Sequence, residues 1–194
     1  MRQQAAAAAM LLIGGCSGPA PAPPAPSPSV TLSTSDTAAN VAPIVDFFRR
    51  TCLDAATEEA RLAAAVAASG WPVRGLQGHG PYEPSIWILN HGQLMWLHNR
   101  SMNACLLNLD SLVSPTPAAL GAALRPIVQR PGFVVVPDNE AEFSWAWPGD
   151  PGYRMVLKIW NDPPIPGRTY GPGRQAITLS FAREPIPAPG ANRE

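Results

Sequence analysis

The stretch EFSWAWPGDPGYRMVLKIW, residues 142–160, decides the fold. From Glu142 to Trp147 polar and apolar side chains alternate. That period places Phe143, Trp145 and Trp147 on one face of a strand. A turn of Pro and Gly follows, and Tyr153, Met155, Leu157 and Ile159 repeat the pattern in the next strand. Further on, Ile177, Leu179 and Phe181 face away from Thr178 and Ser180. Three successive strands with one wet and one dry face imply antiparallel pairing.

Upstream, Phe133 to Val136 is a short apolar run. Thr116-Pro117 is a helix start, a capping residue followed by Pro at the first helical position. Leu120, Leu124, Ile127 and Val128 form that helix's apolar stripe, and Pro131-Gly132 ends it. Ala104 to Leu109 reads as a strand with Cys105, Leu107 and Leu109 on one face. Ser85 to His98 alternates around Asn90-His91-Gly92, a hairpin signal. A two-residue turn sets Trp87 opposite Trp96; a three-residue, Gly-bulged loop sets it opposite Met95. Both faces of the hairpin are apolar, with Trp87 and Leu89 on one and Ile86 and Ile88 on the other. This places it centrally, in a sheet covered on both sides.

Pro72 to Pro84 reads as a Gly/Pro-rich loop. Before it, Val41, Ile44, Val45, Phe48 and Cys52 recur at helical spacing, so 42–54 reads as an amphipathic helix. A second helix runs from Glu58 to Ser69, capped by Asp54 or Thr57 and closed by Gly70. The element order ααβββα(β)βββ gives an α+β fold. It predicts a mainly antiparallel sheet of about six strands, with helices packed on one face, over residues 41–184.

Composition narrows the function. The 194 residues carry 14 Lys+Arg and 14 Asp+Glu, for zero formal charge. A nucleic-acid binder normally shows a basic excess, so that class is excluded. At 46% hydrophobic, the chain is not wholly disordered.

The first residues read as an address. Arg2 precedes an apolar run from Ala5 to Ile13, too short for a bilayer span of about 20 residues. It reads as a signal peptide. The run ends in Leu12-Ile13-Gly14-Gly15-Cys16, which resembles the lipobox of bacterial lipoproteins. The resemblance implies that 1–15 is removed as a signal peptide and that Cys16 is lipidated on its thiol and new amino terminus. Three acyl chains anchor stably, since two lipid signals suffice. Ser17 resembles an outer-membrane sorting signal, which implies an outer-membrane, lipid-anchored protein whose domain faces the periplasm. The alternative is an ordinary secreted protein cut nearby. Residues 16–40 then form the lipidated cysteine and a Pro/Ala/Ser-rich tether. Pro19, Pro21, Pro23, Pro24, Pro26 and Pro28 favour extended polyproline II, reaching roughly 70 Å. Pro185, Pro187 and Pro189 mark 185–194 as a loose C-terminal tail.

With Cys16 taken by lipid, Cys52 and Cys105 remain as a pair. The signal peptide puts them in an oxidising compartment, where disulfides persist. A bond between them is expected, tying the first helix to the sheet. Phe48-x3-Cys52, a helix ending in Gly70-Trp71 and the later strand cysteine are similar to a group of small alphaproteobacterial periplasmic proteins. That likeness implies no activity.

Motifs for catalysis are missing from the sequence. It holds no Gly-x-Ser-x-Gly, His-Glu-x-x-His, Cys-x-x-Cys, Walker loop or Gly-x-Gly-x-x-Gly. His79, His91 and His98 match no zinc spacing and read as solvated loop residues. No metal or cofactor is expected. No carboxylate pair falls on one face for acid–base work. One segment stands out. Asn161 to Gly173 is a long, proline-stiffened connection, and such loops are often functional. Arg168 and Tyr170 at its middle are types enriched at interfaces, with a rigid surface loop as the plainer reading. Trp147, spaced with Trp145, is either core or part of a ligand shelf.

Three functions follow in order. The first is a non-catalytic envelope lipoprotein whose periplasmic domain binds another envelope protein or cell-wall material. The second is an envelope-acting hydrolase, which needs a histidine or carboxylate pair to converge in a cleft. The third is a structural spacer.

Overall fold

The computed structural model describes residues 29–56, 58–78, 83–98, 103–161 and 175–186. They form an α+β fold with one antiparallel sheet of eight strands and three α-helices. The sequence reading expected about six strands. Two short edge strands account for the difference.

The strands are β1 (Val73–Gln77), β2 (Ser85–Leu89), β3 (Gly92–His98), β4 (Asn103–Asp110), β5 (Val134–Val135), β6 (Phe143–Pro148), β7 (Tyr153–Asn161) and β8 (Gln175–Pro185). Their spatial order is β1-β2-β3-β4-β8-β7-β6-β5. The chain enters at one edge and steps inward to β4. It then crosses to the far edge and steps inward again to β8, which pairs with β4 at the centre. β1 lies in the segment read as a Gly/Pro-rich loop. All five of its residues are exposed, so no apolar period betrays it.

Cross-strand partners share a face, and the register sorts the side chains into two sets. Trp87, Leu94, Leu107, Leu179, Ile159 and Phe143 form one row across the sheet. Trp96, Cys105, Phe181, Leu157 and Trp145 form the next. These rows join the helices in a single core. Helix α1 (Val41–Phe48) supplies Ile44 and Phe48, α2 (Glu59–Ala68) supplies Leu62 and Val66, and α3 (Pro117–Val128) supplies Leu120, Leu124 and Val128. The opposite face carries Ile86, Met95, Leu106, Ser180, Lys158 and Ser144 in one row. Ile88, Gln93, Asn108, Thr178 and Trp160 form its neighbour.

Local chemistry sets the helix ends. Asp36 accepts from the backbone N–H groups of Ala38 and Ala39 and starts a 3-10 turn over Thr37–Asn40. Thr116 Oγ1 accepts from Ala119 N at 3.2 Å and starts α3, as its Thr-Pro signal predicts. The helix expected over 42–54 changes its winding at its end. Arg49–Leu53 is a π-helical turn. Thr51 Oγ1 there donates to Phe47 O at 2.7 Å, a side-chain bond that competes with the regular ladder. The wide turn buries both Thr51 and Cys52 completely.

Cys52 and Cys105 are disulfide-bonded, with sulfurs 2.05 Å apart and a sequence separation of 53. The bond ties the π-turn to β4. Closing a loop of this length contributes at most about 4 kcal/mol in the chain-entropy model.

The hairpin corrects two expectations. Its turn has two residues, Asn90 and His91, so Trp87 pairs with Leu94 rather than with Trp96 or Met95. Gly92 is the first residue of β3, not part of the turn. It has φ +147°, and a Cβ there would collide with the Asn108 carbonyl oxygen of β4. The glycine answers a close approach of backbones. The hairpin also lies next to the β1 edge, not at the centre, and Ile86, Ile88, Met95 and Leu97 on its second face are half-buried.

The packed unit extends past 41–184 at both ends. Val30 N donates to Gly70 O at 2.9 Å, and Val30 and Leu32 pack on the core. Asn40 is 1% exposed. Its amide donates to Ser33 O and Val113 O and accepts from Ser33 N. Residues 29–40, read as the end of the tether, are therefore docked on the domain. Pro185, read as the first residue of the tail, still pairs with Tyr153. No described helix is long and apolar enough to cross a membrane.

Candidate functional site

Among the residues singled out from sequence, Cys16, His79, Arg168 and Tyr170 lie outside the described residues. So do the signal peptide, the first part of the tether and residues 187–194. Trp147 is 6% exposed, stacked on Phe181 at 5.7 Å with the Arg130 guanidinium 5.8 Å from its ring centre. It is a member of the core.

His91, in the turn just before β3, and His98, the last residue of β3, are roughly 23 Å apart at the rise of a strand. His98 stacks on Trp96 with ring centres 5.0 Å apart. His91 Nδ1 lies 3.1 Å from Asp110 Oδ2. Asp110 is itself fixed, because its Oδ1 accepts from Leu112 N and its own N–H donates to His91 O. With Nδ1 facing the carboxylate, Nε2 is the nitrogen left for other partners. His91 borders a cleft of about 210 Å³ between the hairpin tip, Trp71-Pro72 and residues 29–32. Ser29 and Thr31 also line it. Among the described residues, no three His, Cys, Asp or Glu side chains are grouped to hold a metal ion.

The larger cleft, about 310 Å³, opens at the other end of the sheet, over the disulfide. One wall is the π-turn and the turn after it, with Cys52, Leu53 and Ala56. The other is the end of the helix-side face. There Asn103 of β4 pairs with Arg183 of β8, and Arg183 pairs with Met155 of β7. Phe181, one row in, completes an apolar floor with Met155 and the disulfide.

The polar groups that line it are Asn103, Arg183 and one carboxylate, Asp150. Asn103 Oδ1 accepts from Trp96 Nε1 at 3.2 Å, so its amide N–H groups are what it has left to offer. The Arg183 guanidinium lies over Tyr153, with Cζ 3.6 Å from the ring centre. Its Nη2 is 3.3 Å from Asp150 Oδ2, a carboxylate whose side chain is 73% exposed. Its Nε is buried and has no hydrogen-bond partner among the described residues, as is also true of Arg154 Nε and Ser144 Oγ on the other face. Neither Arg183 nor Asn103 stood out in the sequence. The signal that bears on this site is the cysteine pair, which marks where helix and sheet are stapled.

On the far side of the sheet, Lys158, the single lysine of the chain, joins a charged network. Its Nζ lies 3.1 Å from Asp138 Oδ2 and 3.5 Å from Glu184 Oε1, and Arg154 pairs with Glu184 at 3.1 Å. The Asp138 carboxyl is held below its ordinary value of 3.8, first by the Glu140 N–H, with Lys158 and the Ala141 N–H adding to it against the effect of burial. Asp46, on α1, is also lowered. Burial, the largest effect, pushes it up, and the combined pull of Arg49 and Arg50 outweighs that.

No family model, curated protein or solved structure matches this chain.

Proposed function

We propose that the protein is a lipid-anchored bacterial envelope protein whose domain, facing the periplasm, is a binding module. The anchoring half rests on the lipobox-like segment ending at Cys16 and the proline-rich tether. The binding half is carried by one observation, the 310 Å³ cleft over the disulfide. It combines an apolar floor with a few polar side chains at the rim, Asn103, Arg183 and Asp150, the composition of a ligand site. Its lining side chains include no nucleophile–base pair. The tests separate the two halves. Cys16→Ala should move the protein from the membrane fraction to the soluble periplasm; unchanged membrane association removes the lipid anchor. Crosslinked envelopes should yield a reproducible partner or cell-wall fragment with the tagged chain. Recovery indistinguishable from that of an unrelated lipoprotein removes the binding reading.

A second reading, an envelope hydrolase, is favoured by His91 and Asp110, which meet beside the smaller cleft near two hydroxyl side chains. On this reading, release of fragments from purified cell wall by the wild-type chain is abolished by His91→Gln. Equal release by both, or none by either, removes it.

A further inference from the structure

We infer that the cleft over the disulfide takes a medium-chain carboxylate, with the aliphatic chain on the floor and the carboxylate on Arg183 and Asn103. This deepens the binding reading above and rests on it.

The floor supplies the first half of the recognition. Cys52 and Cys105 are 0% and 1% exposed and spent in a disulfide, so no thiol is offered. Leu53, Ala56, Met155 and Phe181 present carbon and thioether sulfur. None of these side chains can bond the amide groups of a peptide, so the surface suits a plain hydrocarbon chain. At about 30 Å³ per water, the space equals roughly ten water molecules, room for a ligand of about ten heavy atoms.

The rim supplies the second half. Arg183 is already oriented, because the Tyr153 ring pins its guanidinium plane. A preset donor loses little freedom on binding. Arg183 lines the cleft with its side chain 37% exposed, so a carboxylate can reach the outer guanidinium nitrogens, while the buried Nε stays closed to it. Arginine meets a carboxylate through paired, charge-assisted bonds. The Asn103 amide adds further donors on the paired strand. The existing partner, Asp150, is a weak competitor. It sits on an exposed turn at 3.3 Å, and exposed ion pairs contribute little.

The test uses the full chain carrying Cys16→Ser, exported so that the disulfide forms, and titrated with sodium octanoate by calorimetry. One site per chain is expected. Octanol, which keeps the chain and loses the charge, should bind about tenfold more weakly. Arg183→Gln should weaken octanoate by about tenfold or more. Because Arg183 also stacks on Tyr153, that variant is paired with Asp150→Asn, which removes the carboxylate that lines the cleft beside Arg183. Asp150→Asn should tighten octanoate about threefold, as the rival carboxylate is removed. No heat with octanoate, or equal affinity for octanoate and octanol, overturns the inference. So does tighter binding of N-acetyl-leucine, which points to a peptide terminus instead. If crosslinked envelopes yield a specific partner while octanoate gives no heat, the carboxylate site is wrong and the wider binding reading stands.

Discussion

The two faces of the sheet are built from alternate residues of the same strands, yet they do different work. On the helix side, Leu94, Leu107, Leu157, Ile159 and Leu179 are completely buried. They share one core with all three helices. On the other side, Ile86, Met95 and Leu106 are half-buried, beside small buried polar residues such as Asn108, Thr178 and Ser180. The first face holds the fold, through apolar area removed from water at roughly 25 cal/mol per Å². The second buries fewer and smaller apolar side chains, Ala104, Ala146 and Val156, and adds hydrogen bonds and ion pairs, which contribute less per contact.

The sharpest way to break this contrast is to empty the helix side. Trp145 packs against Phe133 and Phe143, with ring centres 6.1 and 5.7 Å away. Trp145→Ala should lower unfolding free energy by about 3–5 kcal/mol, read from urea denaturation. Removing the staple comes next. The double variant Cys52→Ser/Cys105→Ser should lose up to about 4 kcal/mol. Intact mass of the native chain should rise by two hydrogens on reduction; two free thiols beforehand would refute the bond.

The open face should respond less. Thr178 Oγ1 donates to Asn108 Oδ1 at 3.0 Å, and both residues are buried. Asn108→Ala should cost about 1–2 kcal/mol, mostly from unmet hydrogen bonds. Asp138 gives this side an acid dependence. Its folded-state pKa is lowered, so its contribution is present above the ordinary value of 3.8 and is lost as pH falls through the folded value. Asp138→Asn should therefore be less stable than wild type at neutral pH, and the gap should close in strong acid. The smallest effect is expected at an exposed pair. Arg50 Nη2 lies 2.8 Å from Asp46 Oδ2, with half-exposed side chains. Arg50→Ala should change stability by no more than about 0.5 kcal/mol.

The same contrast explains what was legible beforehand. Alternation reports a strand only where one face is dry. Phe143 to Trp147, Tyr153 to Ile159 and Ile177 to Phe181 therefore read correctly, as did Cys105, Leu107 and Leu109. Val73 to Gln77 hangs on the edge by backbone pairing with β2, and its side chains carry no period. Gly92 looked like a turn residue because a contact with β4, far along the chain, leaves no local mark. Val30, Leu32 and Asn40 looked like tether because one docking hydrogen bond and one buried amide are invisible against a polar, proline-rich background. Cys52 and Cys105 were found by counting. Arg183 and Asn103 were not, since they become a pair of donors only when β4 and β8 align. His91 was recognised as a turn residue, but its partner Asp110 lies at the end of β4, beyond the hairpin, and could not be named from spacing.

Leu106 and Leu107 put the central claim to its most direct test. They are consecutive residues of β4, identical in chemistry and opposite in direction. Leu107 faces the helices and is 0% exposed, while Leu106 is half-buried on the other side. The measurement is the urea midpoint of Leu107→Ala against that of Leu106→Ala, in the disulfide-intact chain. Leu107→Ala should lose about 2–5 kcal/mol and Leu106→Ala less than about half of that. Equal losses would contradict the claim, because the fold would then be held from both faces alike.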